Sequence, residues 1–440
     1  MMGDDYTAAA EAANFDSQRE RILAEDILWS LGPDWIVLHG RGVGPFVKRL
    51  EAFYNAEREE GINVMERLLG TDKLNSDQER YLKKAYSRLL DLHFGAGELR
   101  IKDHDNVETY VKSLSNLRGR KVDVIFAFPY ENPDHQLIEL GLVGDTLLRT
   151  GINFCDIYLL GIPYMREDKK DEGRVPLSAK AIFNIIETTF KDRLRRIVTM
   201  DLHAAQEQGF IDRPVDHLTF RYDFARYLLS DAYKNEHPEG VGAVCALDPG
   251  AAKSAEKLAA LLSDGSSKDV NLVVLPKKGR KKHGIAEIDG GATDISSRVS
   301  GRNVAVMEDM IGTGGSVVEG VDVLMSRGAK SVTIGAAHGY FNSKKDEETG
   351  EILTIAEDIL RKTGAKVVVT DTIPRSPAYY EENKDWLVAL TEAHYFAQVM
   401  IANRLNFSVS RIIRRKEEAI RHAVKTGESM DISDLILRMD

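Results

Sequence analysis

V-A-V-M-E-D-M-I-G-T-G-G-S-V-V-E-G, running from Val304 to Gly320, carries an apolar run into two adjacent carboxylates and then into a turn with almost no side chains. Asn303 to Met307 reads as a buried strand, and Gly315 to Arg327 has the spacing of an amphipathic helix. Strand, glycine turn and helix form the repeating unit of parallel, two-sided sheets. Glu308 and Asp309 then fall at the carboxyl end of a strand, where open α/β sheets bind their ligands. Glycines at 312, 314 and 315 let successive N–H groups face one anion, and the following helix adds the partial positive charge of its N-terminus. Thr313 and Ser316 can add hydroxyl donors. A glycine-rich turn carrying two solvated acids satisfies the same letters. A bare phosphate has no use for carboxylates, however, whereas a pentose phosphate offers hydroxyls and a shared divalent cation for a pair of acids to hold.

The same rhythm extends outward. Short Val- and Ile-rich runs recur at Trp35 to Leu38, Val122 to Phe128, Asp156 to Leu160, Ile197 to Met200, Val241 to Leu247, Val270 to Leu275, Ser331 to Ala337 and Ala365 to Thr370. Most are followed by amphipathic stretches such as Gly250 to Leu262, so the expected class is α/β with parallel sheets flanked by helices. Two regions depart from it. Glu51 to Asp91 is charged and helical, with Ser76 and Glu79 spaced as a capping box before the stripe Leu82, Ala85, Leu89, and reads as an added helical hairpin. Arg411 to Asp440 is basic first and acidic later, the pattern of a solvated helix.

Composition narrows the function classes. A chain of 440 residues is long enough for roughly two to three domains with self-sufficient cores. The net charge of -10 argues against broad attraction to nucleic acid or anionic membrane. Cys155 and Cys245 lie in apolar segments and read as buried, reduced thiols. No apolar run has the length of a membrane span, and Met1 to Glu20 lacks the basic-then-apolar order of a secretory signal, so a soluble cytoplasmic protein is expected.

The Val304 to Gly320 stretch resembles the ribose 5-phosphate loop of the type I phosphoribosyltransferase fold. Upstream, Pro163 to Asp171 with Arg174 to Lys180, and Asp201 to Phe210 running on to Leu218, are similar to segments found in phosphoribosyl pyrophosphate synthetases, also called ribose-phosphate diphosphokinases, and absent from the transferases. Downstream, Asp248 to Lys253, Lys278 to Lys282, Ala337 to Phe341 and Thr370 to Pro374 resemble further synthetase motifs in the same order.

The resemblance implies two tandem type I phosphoribosyltransferase-like domains, 25–218 (with a helical insertion at about 55–91) and 219–394. A helix at 395–412 would return to the N-terminal domain, followed by an extension at 413–440. It implies transfer of the β,γ-diphosphoryl group of ATP to the 1-hydroxyl of ribose 5-phosphate, with Mg2+. Lys278 and Arg280 would be the catalytic cations. Phe94, Glu98, Arg166, Glu167, Asp168 and His203 would bind nucleotide, while the Lys and Asp run continuing to Asp171 would form a salt-bridged surface. Asp248, Glu308, Asp309, Gly312, Thr313, Gly314, Gly315 and Ser316 would bind the ribose phosphate, with His203 and Asp248 also touching metal. A dimer-based homo-oligomer, up to a hexamer, is implied, with no nucleic acid or membrane partner.

Four positions, Glu308, Gly312, Ala96 and Glu167, depart from the family pattern. Glu308-Asp309-Met310-Ile311-Gly312-Thr313 stands where the family has Asp-Asp-x-x-Asp-Thr, so Gly312 lacks the third acid. Ala96 replaces an aspartate in Phe94-Gly95-Ala96-Gly97-Glu98, and Glu167 replaces a glutamine. A diphosphokinase of altered sugar or nucleotide specificity, and a non-catalytic synthetase-like partner, are the alternatives these departures leave open.

Overall fold

The computed structural model describes residues 34–70, 76–129, 132–170, 172–263, 269–276, 295–346 and 349–437. They divide into two compact units. One comprises the described residues up to Phe128, Asn132–His217 and Ala393–Val409; the other comprises Leu218–Glu392 with the residues from Ser410 onward and Pro129.

The first unit is built on a six-stranded sheet in the order β2-β1-β5-β6-β7-β8. Its strands are β1 (Trp35–His39), β2 (Gly95–Ala96), β5 (Lys121–Phe126), β6 (Phe154–Leu159), β7 (Leu194–Met200) and the edge strand β8 (Val215–Leu218); β3 (Leu99–Asp103) and β4 (Thr109–Ser113) form a separate antiparallel hairpin. The central strands pair in parallel, as their nearly unbroken apolar runs require. Helices Pro133–Thr150 and Ser178–Phe190 cover one face through Leu140, Val143, Leu147, Ile182, Phe183 and Ile186.

The second unit repeats the plan with a six-stranded, wholly parallel sheet in the order β10-β9-β11-β12-β15-β16. These are β9 (Val241–Ala246), β10 (Asn271–Val274), β11 (Asn303–Ile311), β12 (Ser331–Gly339), β15 (Lys366–Thr370) and β16 (Leu387–Leu390), with a small antiparallel hairpin of β13 (Lys344–Lys345) and β14 (Ile352–Thr354). Helices Ala252–Leu262, Gly315–Ser326 and Ala356–Lys362 pack on it. All nine apolar runs identified in the sequence are strands, and both cysteines are buried free thiols. No helix among the described residues is long and apolar enough to cross a membrane.

Three expectations change. Strand β11 runs to Ile311 rather than Met307, so Glu308 and Asp309 belong to the strand instead of following it. The reason is pairing: Glu308, Met310 and Ile311 lie opposite Ala336, His338 and Gly339 of β12. The charged hairpin consists of Gly44–Leu69 and Ser76–Leu90 and begins earlier than Glu51, because Pro45 suits a first turn and Phe46, Leu50 and Tyr54 continue a buried stripe. The tail helix Val409–Thr426 is only partly solvated: Ile420 and Ala423 are buried, and Lys416 donates to both oxygens of buried Asp223 at 2.8 and 2.9 Å.

Helix Ala393–Leu405 completes the first unit. Phe396 meets Phe46 edge-on at 5.7 Å, and Arg404 donates through Nε and Nη2 to Asp123 Oδ2 at 2.9 and 2.6 Å and through Nη1 to the Tyr54 hydroxyl at 2.8 Å. Burial pushes the Asp123 carboxyl up to about 6 against the pull of Arg404. A carboxyl raised in the folded state stabilises below its unfolded value, and that contribution is lost as pH rises through the folded value. Arg404→Met, which orphans this carboxyl, should cost about 3–5 kcal/mol in urea unfolding. The deficit should be larger near about pH 8 than near about pH 5, where the orphan can take up a proton. Asp123→Leu combined with Arg404→Met should recover most of it.

Candidate ligand-binding edges of the two sheets

In the second unit the ends of β9, β11 and β12 converge. The register of β9 and β11 ends at Cys245 opposite Val306, and three residues further along each chain segment stand Asp248, just past β9, and Asp309, within β11. Asp248 Oδ1 accepts from the N–H groups of Gly250 and Ala251 at 2.7 and 3.1 Å, which fixes the turn before helix Ala252–Leu262. Among the described residues Oδ2 carries no hydrogen bond. Asp309 Oδ1 accepts from the Met310 N–H at 2.8 Å, and Glu308 and Asp309 are both half-buried.

From Ile311 the chain turns through Gly312, Thr313 and Gly314 into helix Gly315–Ser326. Gly314 has φ +76°, a left-handed conformation that glycine reaches without cost, and a Cβ there would stand 3.2 Å from Leu360. A Cβ on Gly315 would meet open space, and Thr313, Gly315 and Ser316 are exposed. The helix's opening N–H groups and macrodipole therefore face solvent beside three carboxylates. Such a set suits a ligand that is an anion at one end and a polyol or cation complex at the other. The oxygens of Asp248, Glu308 and Asp309 are the hard donors that Mg2+ prefers.

The neighbouring end of the sheet is a hydroxyl-rich lattice. Buried His338 pairs its Nδ1 with Thr372 Oγ1 at 2.8 Å, Thr370 and Thr372 hydroxyls lie 2.7 Å apart, and Thr370 donates to the Ala337 carbonyl at 2.6 Å. The segments Ala337 to Phe341 and Thr370 to Pro374, matched separately in the sequence, thus meet. Arg375, to which the sequence reading gave no role, donates to the Tyr340 carbonyl at 2.5 Å. Its signal was visible only as the residue following Pro374.

The first unit presents its own edge. After β6 the chain turns through Tyr164, at φ +65°, into exposed Arg166 and Glu167 and half-buried Asp168. Glu167 accepts from the Ser178 hydroxyl, the opening residue of helix Ser178–Phe190, which satisfies an acid that would otherwise face any bound phosphate unaided. After β7, Asp201 has φ +32° and His203 is exposed, while the Leu202 N–H donates to His217 Nε2 at 3.0 Å. Arg41, past β1, is committed to structure. It bridges Glu139 and Asp103, and its guanidinium holds the Asp103 carboxyl down to about 2. The Lys and Asp run after Arg166 forms no ion pair among the described residues. Phe94 is buried edge-on to Tyr54 at 5.4 Å, so its ring packs the core, whereas Glu98 is exposed with its N–H bound to Ser115 Oγ at 2.9 Å. Lys278 and Arg280 lie outside the described residues.

Two parallel sheets, one carrying a strand–acid pair–glycine turn–helix unit at its carboxyl edge, define a protein of the type I phosphoribosyltransferase-like fold. A solved phosphoribosylpyrophosphate synthetase from Mycobacterium smegmatis shares it, with a TM-score of 0.62 at 24% identity over 84% of this chain and 99% of that one. Residues 74–189 match the model of the N-terminal domain of ribose phosphate pyrophosphokinase. The ribose-phosphate pyrophosphokinase of Corynebacterium efficiens is 33% identical over 65% of this chain and 80% of its own length. That of Fusobacterium nucleatum is 30% identical over 68% and 84%. The chain belongs to the ribose-phosphate pyrophosphokinase family.

The left-handed turn gives a direct check. Gly314→Ala should lower the unfolding free energy by about 1–2 kcal/mol, while Gly315→Ala, in open space, should change it by less than about 0.5 kcal/mol; thermal or urea unfolding of the pair distinguishes them.

Proposed function

We propose that this chain makes 5-phosphoribosyl 1-diphosphate from ATP and ribose 5-phosphate, and that the sugar phosphate binds at the β11 edge of the second sheet. The carrying observation is that Asp248, Asp309 and the open glycine turn stand together at the ends of two paired strands. The 1-hydroxyl oxygen of the sugar bonds to the β-phosphorus of ATP. The bond from that phosphorus to the oxygen bridging it to the α-phosphorus breaks, AMP leaves, and the hydroxyl proton departs with the attack.

Such a transfer leaves little covalent work for the protein, so positioning and charge supply most of the rate. Thr313 to Ser316 hold the 5-phosphate on N–H groups and hydroxyls, and Gly312 gives the turn its entry. Glu308 and Asp309 accept hydrogen bonds from the ribose hydroxyls and fix the sugar's rotation. Asp248 in the second unit and exposed His203 in the first are each assigned a contact to Mg2+, which when bound would neutralise charge on the transferring diphosphoryl group. Arg166 clamps phosphate oxygens with its planar fork, supported by Glu167 and Asp168 on the same turn. Lys278 and Arg280, a few residues after β10, are assigned as the cations that meet the charge developing at the transferred group; the order of matched motifs supports that reading. The exposed Glu98 belongs in this proposal to a nucleotide contact made between copies of the chain, with Phe94 setting its backbone from within the core. The proposal includes domain limits of 25–218 and 219–394, a homo-oligomeric state, and a cytoplasmic location.

Sugar-dependent AMP release from ATP with Mg2+ tests the reading. Asp309→Asn should lower kcat/KM for ribose 5-phosphate about 100-fold, and Lys278→Ala should lower kcat by a similar factor of about 100 with little change in either KM. Wild-type turnover in both variants would overturn the assignment.

A further inference from the structure

Resting on the reading of the glycine turn as the 5-phosphate site, we propose that Phe341 and Arg375 are positioning residues that set where this turn stands and hence the affinity for the sugar phosphate. Phe341 has φ +46°, a region in which a bulky residue is an outlier and persists only where its surroundings fix it. What the conformation achieves is specific. The N–H groups of Tyr340 and Phe341 both donate to the Ile311 carbonyl, at 3.0 and 3.1 Å, and the Asn342 N–H donates to the Gly312 carbonyl at 3.0 Å. In an extended strand successive N–H groups point to opposite sides. The left-handed residue turns three consecutive donors onto the two carbonyls immediately before Thr313.

Side chains hold that conformation in place. The Phe341 ring is 3% exposed, stands edge-on to Trp386 at 5.8 Å, and lies against Gly339, where a Cβ would come within 2.7 Å of Cε2. Arg375 donates through Nη2 to the Tyr340 carbonyl at 2.5 Å, with its guanidinium 4.7 Å above the Tyr379 ring and 6.0 Å from that of Phe341. Tyr379 in turn donates to Glu357 Oε1 at 2.9 Å on helix Ala356–Lys362, whose Leu360 packs beneath Gly314. One braced network therefore reaches the turn at both ends, through Gly312 and through Gly314. Neither Phe341 nor Arg375 is placed on the ligand. Their effect is to hold N–H groups at the position the phosphate needs, and small displacements of such groups are costly.

Steady-state kinetics of Arg375→Gln and Phe341→Leu test this. The KM for ribose 5-phosphate should rise about tenfold while the KM for ATP stays within about twofold, and Arg375→Lys should recover part of the loss because an ammonium can still donate to Tyr340. A variant that fails to fold leaves the decision to Tyr379→Phe, which keeps the ring and loses only the tether; it should raise the sugar-phosphate KM about two- to threefold. An unchanged KM in Arg375→Gln and Tyr379→Phe, or equal rises for both substrates, overturns the brace. Asp309→Asn run alongside separates the two claims: with Asp309→Asn impaired and Arg375→Gln normal, only the brace fails. If Asp309→Asn also leaves the sugar-phosphate KM unchanged, the reading of the turn itself fails.

Discussion

Strand β11 is paired in parallel on both sides, with β9 and with β12, and this is the constraint from which the second unit's candidate site follows. Parallel pairing brings the carboxyl ends of neighbouring strands to one edge, so Asp248 after β9, Glu308 and Asp309 within β11, and His338 within β12 face the same rim. A central strand is buried on both faces and cannot slip in register without exposing its apolar set. Val304, Val306, Ala243, Cys245, Val332 and Ile334 thus fix the acids as firmly as any direct contact could. Rigidity of the strand is what allows the adjoining glycine turn to be open without being vague.

The first unit meets a different requirement, since part of it comes from the far end of the chain. Helix Ala393–Leu405 is held by a fully buried pair, Arg404 with Asp123, backed by Tyr54 and by Arg195 on Asp156 in the neighbouring strand. Such a pair adds little net stability compared with apolar residues of the same size, but breaking it leaves a charge with no water to solvate it. It fixes where the returning helix sits against β5 and helix Gly44–Leu69.

The parts legible in the sequence were those governed by local pattern. Val- and Ile-rich runs gave the strands because a doubly covered parallel strand must be apolar throughout, and Gly314 gave the turn because its left-handed φ suits glycine. Strand β11's extra length was hidden, since Glu308 and Met310 look like a strand's end until β12 supplies partners for them. The short strands β2, β8, β13, β14 and β16 carry too few residues for a pattern. Arg375 and Phe341 could not be connected to the turn from sequence, because hydrogen bonds from Tyr340 to Asn342 reach back across roughly 30 residues to Ile311 and Gly312. The edge-on contact of Phe94 with Tyr54, forty residues earlier, was equally invisible in the motif that singled Phe94 out.

Membership of the ribose-phosphate pyrophosphokinase family points to transfer of a diphosphoryl group rather than a single phosphoryl group. Phosphorus NMR of the products from ATP, ribose 5-phosphate and Mg2+ tests that claim most directly. AMP and a sugar bearing a 1-diphosphate, formed in equal amounts, are the expected products. ADP with a sugar bisphosphate, or hydrolysis of ATP that does not depend on the sugar, would contradict it.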